Sequence, residues 1–162
     1  MANAKVLDRQ IARESQAAQL MRFQCSKSLM IDLFGNLPTN AKNYNRESTT
    51  RKCSTHACAF LDDCQELQIF AAQLLNCYIT ITGDITCERR FDLNQLIRTY
   101  SAFLFFQPPS EIAETIMKFD FNRFWSLLNG VQTRKLVIRN CKCGVTFVHR
   151  NHKRTDSCPH CS

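Results

Sequence analysis

Four cysteines crowd the last twenty-two residues of the chain, in the runs Cys141-Lys142-Cys143-Gly144 and Cys158-Pro159-His160-Cys161. Paired cysteines on two tight turns can bring four thiolates around one tetrahedral zinc ion. Gly144 supplies the positive φ that such a turn often needs. A segment this short has too little core to fold by itself, so a bound metal would supply its stability, on the order of 10 kcal/mol. The second pair has the favourable two-residue spacing. The first pair is tighter, and His149, His152 and His160 stand close enough in sequence to replace one thiolate. Three alternatives therefore stand: a zinc site on Cys141, Cys143, Cys158 and Cys161, a site using one histidine, or no metal. Four thiolates leave no open position for water or substrate, so the expected ion is structural. Arg139, Lys142 and Lys153 could offset the two negative charges of such a site.

The chain has ten cysteines in 162 residues, a number that would suggest disulfides in a small secreted protein. The opening residues, MANAKVLDRQIARESQ, are charged throughout and lack the apolar core of a signal peptide. No run of about 18 apolar residues exists to span a membrane. The expected setting is the cytoplasm, with reduced thiols. Cys53, Cys58 and Cys64 with His56 form a weaker metal candidate, because Cys58 and Cys64 lie near or on an apolar helix face and cysteine packs as a small hydrophobe. Cys25, Cys77 and Cys87 read as packing residues.

Only four glycines and four prolines argue against a turn-rich, all-β chain. Apolar residues recur at helical spacing from about Ala4 to Gln24 and from Ser26 to Phe34, where Ser26 can cap and Gly35 can end the helix. Thr39 to Lys52 reads as a loop. A helix is predicted from Phe60 to Ile81, broken at Gly83-Asp84, and another over Leu93 to Leu104, stopped by Pro108-Pro109. Ser110 is expected to cap a single further helix, with Ile112, Ile116, Phe119, Phe124, Leu127 and Leu128 on its buried side and Gly130 at its close. Lys135 to Arg139 and Val145 to His149 are short and β-prone. The predicted fold is mainly α: a helical body over 1–133, with partner-binding helices within 53–130, and a small zinc-ribbon-like module over 134–162.

The net charge of +7 divides into +5 over residues 1–52, −4 over 53–133 and +6 over 134–162. Basic ends around an acidic middle suit a protein that meets a polyanion at its ends, although two solvated basic faces would give the same balance. Residues 13–33 can be drawn as helix, turn, helix, with Ala17, Ala18 and Met21 packing the first helix and Met30 and Ile31 the second. Arg22, Lys27 and Ser28 would then lie near a DNA backbone or groove, and Arg150, Lys153 and Arg154 are the corresponding candidates at the other end. No phosphate-cradling glycine loop, H-E-x-x-H or G-x-S-x-G is present, which argues against an enzyme.

Taken together these segments resemble FlhC, the zinc-containing subunit of the flagellar master transcription regulator. Cys25 to Ile31 looks like the family's L-S-R-x-R-L-I segment, and Gly35 and Pro38 fall where that family has a glycine and prolines. His56-Ala57-Cys58-Ala59-Phe60 is similar to H-A-S-x-F. Ile97 to Tyr100 with Phe103-Leu104 looks like I-x-A-Y-x-x-Y-L, and Arg123-Phe124-Trp125 is similar to R-A-W. The cysteine-rich end resembles C-x-x-C-G, F-x-x-H-x-H and C-x-x-C in that order. The resemblance implies a helical protein that assembles with a FlhD-type partner. The assembly would bind double-stranded promoter DNA, meet RNA polymerase and activate transcription of flagellar or related genes. It also implies that Cys143, Cys158 and Cys161 are zinc ligands. Asn140 occupies the place of the family's first ligand, so Cys141 would serve from one residue later. The family usually continues past its last cysteine with a basic tail, whereas this sequence stops at Ser162.

Overall fold

The computed structural model describes residues 2–44, 58–62, 64–150 and 157–161. Cys53, His56, His152, Lys153 and Arg154 lie outside the described residues. The chain divides into two compact units, Met1–Lys52 and Cys53–Ser162, so the change of pattern near residue 134 falls inside the second unit.

The first unit is built on α1 (Ala2–Arg22) and α2 (Lys27–Phe34). Ser26 caps α2 as its sequence position suggests. Its side chain accepts from the Leu29 amide at 3.3 Å, which satisfies one of the donors left open at a helix start. Gly35 ends α2 with φ +77 and returns its N–H to the Ile31 carbonyl. Ala17, Leu20, Phe23, Cys25, Leu29 and Met30 are buried. Ile31, expected inside, is 44% exposed: it lies one residue past Met30, which points inward. A short 3-10 turn, Thr39–Ala41, interrupts the predicted loop. It is tied to α1 by Glu14, which accepts from the Thr39 and Asn40 amides at 2.9 and 3.0 Å.

The second unit carries α3 (Gln65–Thr82), α4 (Leu93–Phe105), α5 (Ile112–Lys118), α6 (Phe121–Gln132) and a two-stranded antiparallel sheet, β1 (Leu136–Asn140) with β2 (Thr146–Arg150). Its core is aromatic. Tyr100, Phe103, Phe119, Phe121 and Phe124 are fully enclosed, and edge-to-face pairs such as Phe70–Phe103 at 5.7 Å join α3 to α4. The Tyr100 hydroxyl enters this core because it donates to the Phe119 carbonyl at 2.5 Å.

Four expectations for this unit need correction. The helix predicted from Phe60 starts at Gln65; Phe60 and Leu61 are buried on a separate 3-10 turn, Ala59–Asp62. The single helix predicted from Ser110 to Gly130 is two helices. The chain breaks at Phe119, and Asp120 opens α6 by accepting from the Arg123 amide at 3.0 Å. Ser110 does not cap, since Glu111 precedes α5 without a side-chain bond. Gly130 does not end a helix either. It lies inside α6, where a Cβ would stand 2.6 Å from Cys58 Sγ and 2.9 Å from Leu136 Cδ1. A glycine is needed there for close approach. Among the described residues no helix is long and apolar enough to cross a membrane.

Candidate metal centre

The strand register, with Val137 opposite His149 and Asn140 opposite Thr146, delivers Cys141 to the head of the hairpin. There the chain turns through Lys142, Cys143 and Gly144. The Gly144 amide donates to the Cys141 carbonyl at 3.0 Å, and Gly144 takes φ +88, a region that side chains rarely tolerate. The Cys141 amide then closes onto Val145 O at 2.9 Å. Cys158 to Cys161 repeats the device, with the Cys161 amide donating to the Cys158 carbonyl at 3.0 Å. Two tight turns thus face each other, each with two thiols.

All four sulfurs lie within 4.8 Å of one another. The short contacts cross between turns, Cys141 to Cys161 at 3.7 Å and Cys143 to Cys158 at 3.9 Å. A tetrahedral ion with metal–sulfur bonds of about 2.3 Å requires sulfur–sulfur edges of about 3.8 Å. The crossed contacts match that edge and are nearly twice a disulfide length, about 2.05 Å. The donor set therefore fits one tetrahedral metal ion, and all four cysteines singled out in the sequence come together.

The electrostatics of the thiols agree with a cluster built to hold charge. The Cys143 backbone N–H, then its thiol, donate toward Cys141 and bring that thiol down to about 7. Once one thiolate is present its neighbours resist a second, and Cys161 is pushed up to about 12, chiefly by Cys143 and Cys141. A divalent cation removes that resistance.

Among the described residues, neither histidine alternative joins the cluster. His149 is engaged elsewhere: its Nε2 accepts from Arg139 Nε at 3.2 Å and its Nδ1 lies 3.0 Å from the Arg150 carbonyl. His160 is exposed on the second turn, outside the four-sulfur group.

The centre is docked on α3. Cys158 packs with Ala72 and Phe147, and Cys141 and Val145 close over them. Gln65 Nε2 donates to the Pro159 carbonyl at 2.8 Å and Asn76 Nδ2 to the Thr146 carbonyl at 2.8 Å. Gln65, Ala72 and Asn76 are spaced by seven and four residues, so they share one side of α3. Sequence reasoning missed this face, since it followed only the apolar stripe of the same helix. The signal was present as two amides flanking an alanine at helical spacing.

The remaining predicted positions divide between the two units. Arg22 is exposed at the end of α1. Lys27 Nζ donates to the Lys42 carbonyl at 3.0 Å, and Ser28 Oγ lies 3.1 Å from Ser26 Oγ. Arg150 pairs with Asp62 at 2.5 Å and braces β2 against the turn before α3. The exposed cations of the hairpin include Lys135, Arg139 and Lys142. Cys58 is buried beside α6, its Sγ 3.4 Å from Ser126 O, whereas Cys64 is exposed where α3 begins. Cys25 and Cys87 are buried and Cys77 partly so. No known protein family, curated protein or solved structure matches the chain.

Proposed function

We propose that the chain is a zinc-stapled, DNA-binding subunit of a transcription regulator, acting with a FlhD-type helical partner on promoter DNA. The observation that carries this reading is the closed four-sulfur cluster on a basic hairpin. Four thiolates suit zinc among the divalent metals, because soft sulfur ligands in a tetrahedron match its preferences. With every coordination position filled, the ion holds shape and does no chemistry. What the shape presents is positive charge: Lys135, Arg139 and Lys142 are exposed on or beside the hairpin, and residues 134–162 carry +6. A rigid cationic hairpin is suited to phosphate contacts. The resemblance of several segments to FlhC, in the same order, supports the choice of promoter DNA and of a FlhD-type partner.

The test is selection of a randomised duplex pool by the zinc-loaded chain together with a FlhD-type partner. Enrichment of a sequence supports the reading, with binding that weakens steeply as salt is added. A pool that stays random at low and moderate salt overturns it.

A second reading has its own observation. Phe105, Phe106 and Met117 are 83%, 75% and 71% exposed around the end of α4 and on α5. Exposed apolar residues of this size are the mark of a protein contact. On this reading the zinc only shapes an interaction module. Substituting Lys135 and Arg139 by Glu separates the two readings: duplex selection is lost on the first, while partner binding persists on both.

A further inference from the structure

Between α1 and the segment that follows α2, the first unit holds a groove of ≈ 460 Å³. Arg9, Arg13 and Lys42 line it, with Gln10, Asn36 and Thr39 as neutral polar groups between them. That volume lies within the usual range of small-ligand sites, about 300–1,000 Å³. The groove's shape is fixed by bonds across it. Arg13 Nη2 donates to the Asn36 carbonyl at 2.7 Å and to the Phe34 carbonyl at 3.2 Å, and its guanidinium lies 5.4 Å from the Phe34 ring centre. Arg13 Nε is buried with no hydrogen-bond partner among the described residues.

The charge is unbalanced. Among the described residues Glu14 is the one carboxylate in the lining, and both its oxygens are occupied by the Thr39 and Asn40 amides. Those bonds, the Asn40 one foremost, hold its carboxyl below the usual range, so it remains ionised and turned to the loop. Three cations therefore face the groove against one carboxylate that is already satisfied. Two guanidinium groups and an ammonium around an open space, with Leu37 and Pro38 also in its wall, are the donor set for an oxyanion with several acceptor atoms.

We infer that this groove binds a phosphate group. Under the proposed function, on which the source of the phosphate rests, it takes a phosphate of the DNA backbone, a contact separate from Arg22, Lys27 and Ser28. The test uses the full-length, metal-loaded chain, joined by the FlhD-type partner in the duplex arm, with two probes, inorganic pyrophosphate and a labelled DNA duplex. The variant is R9Q/K42Q, since the Arg9 side chain is exposed and the Lys42 backbone bonds survive substitution. R98Q, an exposed charge on α4, is the control.

The expected result is pyrophosphate affinity about tenfold or more weaker in R9Q/K42Q and unchanged in R98Q. The slope of log affinity against log salt for the duplex should fall by about 0.9, the value of one phosphate contact. Amide resonances of Asn36, Thr39 and Lys42 in the parent chain should shift on adding pyrophosphate, a readout that holds even if the variant misfolds. If the parent binds pyrophosphate through these residues but ignores the duplex, the groove serves a free phosphate compound and the proposed function falls alone. If the duplex is bound with the same slope in parent and variant, and pyrophosphate moves none of these amides, the inference is overturned while the proposed function stands. Failure of the parent to bind either probe overturns both.

Discussion

The helix α3 packs against α4 and against the hairpin, and holds them by different physics. On one side Leu67, Phe70, Leu74, Leu75 and Tyr78 are buried, and interlocked rings carry the contact into α4. On the other side the hairpin offers little to bury, and Ala72 packs in a small cluster with Phe147 and Cys158. There the position is set by directed bonds from Gln65 and Asn76, by the Arg150–Asp62 pair and by the sulfur cluster. Where apolar area is abundant, location follows from packing. Where it is scarce, a few directional contacts and a metal must define the geometry.

That contrast can be broken most severely by removing two ligands. In C158S/C161S the amides of β1 and β2 should lose their protection from hydrogen exchange, the loss of metal being worth on the order of 10 kcal/mol to the hairpin. The amides of α4 and α6 should stay protected. If they are lost as well, the two regions are one cooperative unit and the comparison fails. The opposite perturbation is Phe124→Ala, a fully enclosed ring. It should cost about 3–5 kcal/mol in urea unfolding while the purified protein keeps its full metal content.

Gly130→Ala probes the seam where α6 meets β1. Alanine ordinarily gains up to about 1 kcal/mol over glycine in a helix. Here its methyl would overlap Cys58 Sγ and Leu136 Cδ1, both on buried side chains that have little room to move. A net loss of about 1–3 kcal/mol is expected in the thermal midpoint. The mildest change is Asn76→Ala, which deletes the bond to Thr146 O and a second to Ala72 O at 2.6 Å. It should cost about 1 kcal/mol. The readout is metal release to a chelator, which should quicken several-fold with global stability almost unchanged.

The sequence was most legible where single residues have narrow uses. Ser26 and Gly35 bracket α2, Gly83 ends α3 in a left-handed conformation, and Gly144 turns the hairpin as anticipated. The four cysteines were identifiable because two close pairs admit few other arrangements. The helix over 112–128 was misjudged because its apolar spacing runs on across the break. Asp120, a side chain suited to capping, was the only local sign of a new start. Gly130 was read as punctuation, since its role depends on Cys58 and Leu136, whose approach no local pattern reveals. The docking bonds of Gln65 and Asn76 were hidden for the same reason: their acceptors are backbone carbonyls 94 and 70 residues away.

X-ray absorption at the zinc edge of the purified, full-length protein reaches the central point most directly. One zinc per chain with four sulfur neighbours at about 2.3 Å and no nitrogen or oxygen in the shell is the expected spectrum. A protein that carries no metal when purified under reducing conditions, or a shell containing imidazole nitrogen or water, would contradict the closed four-thiolate centre.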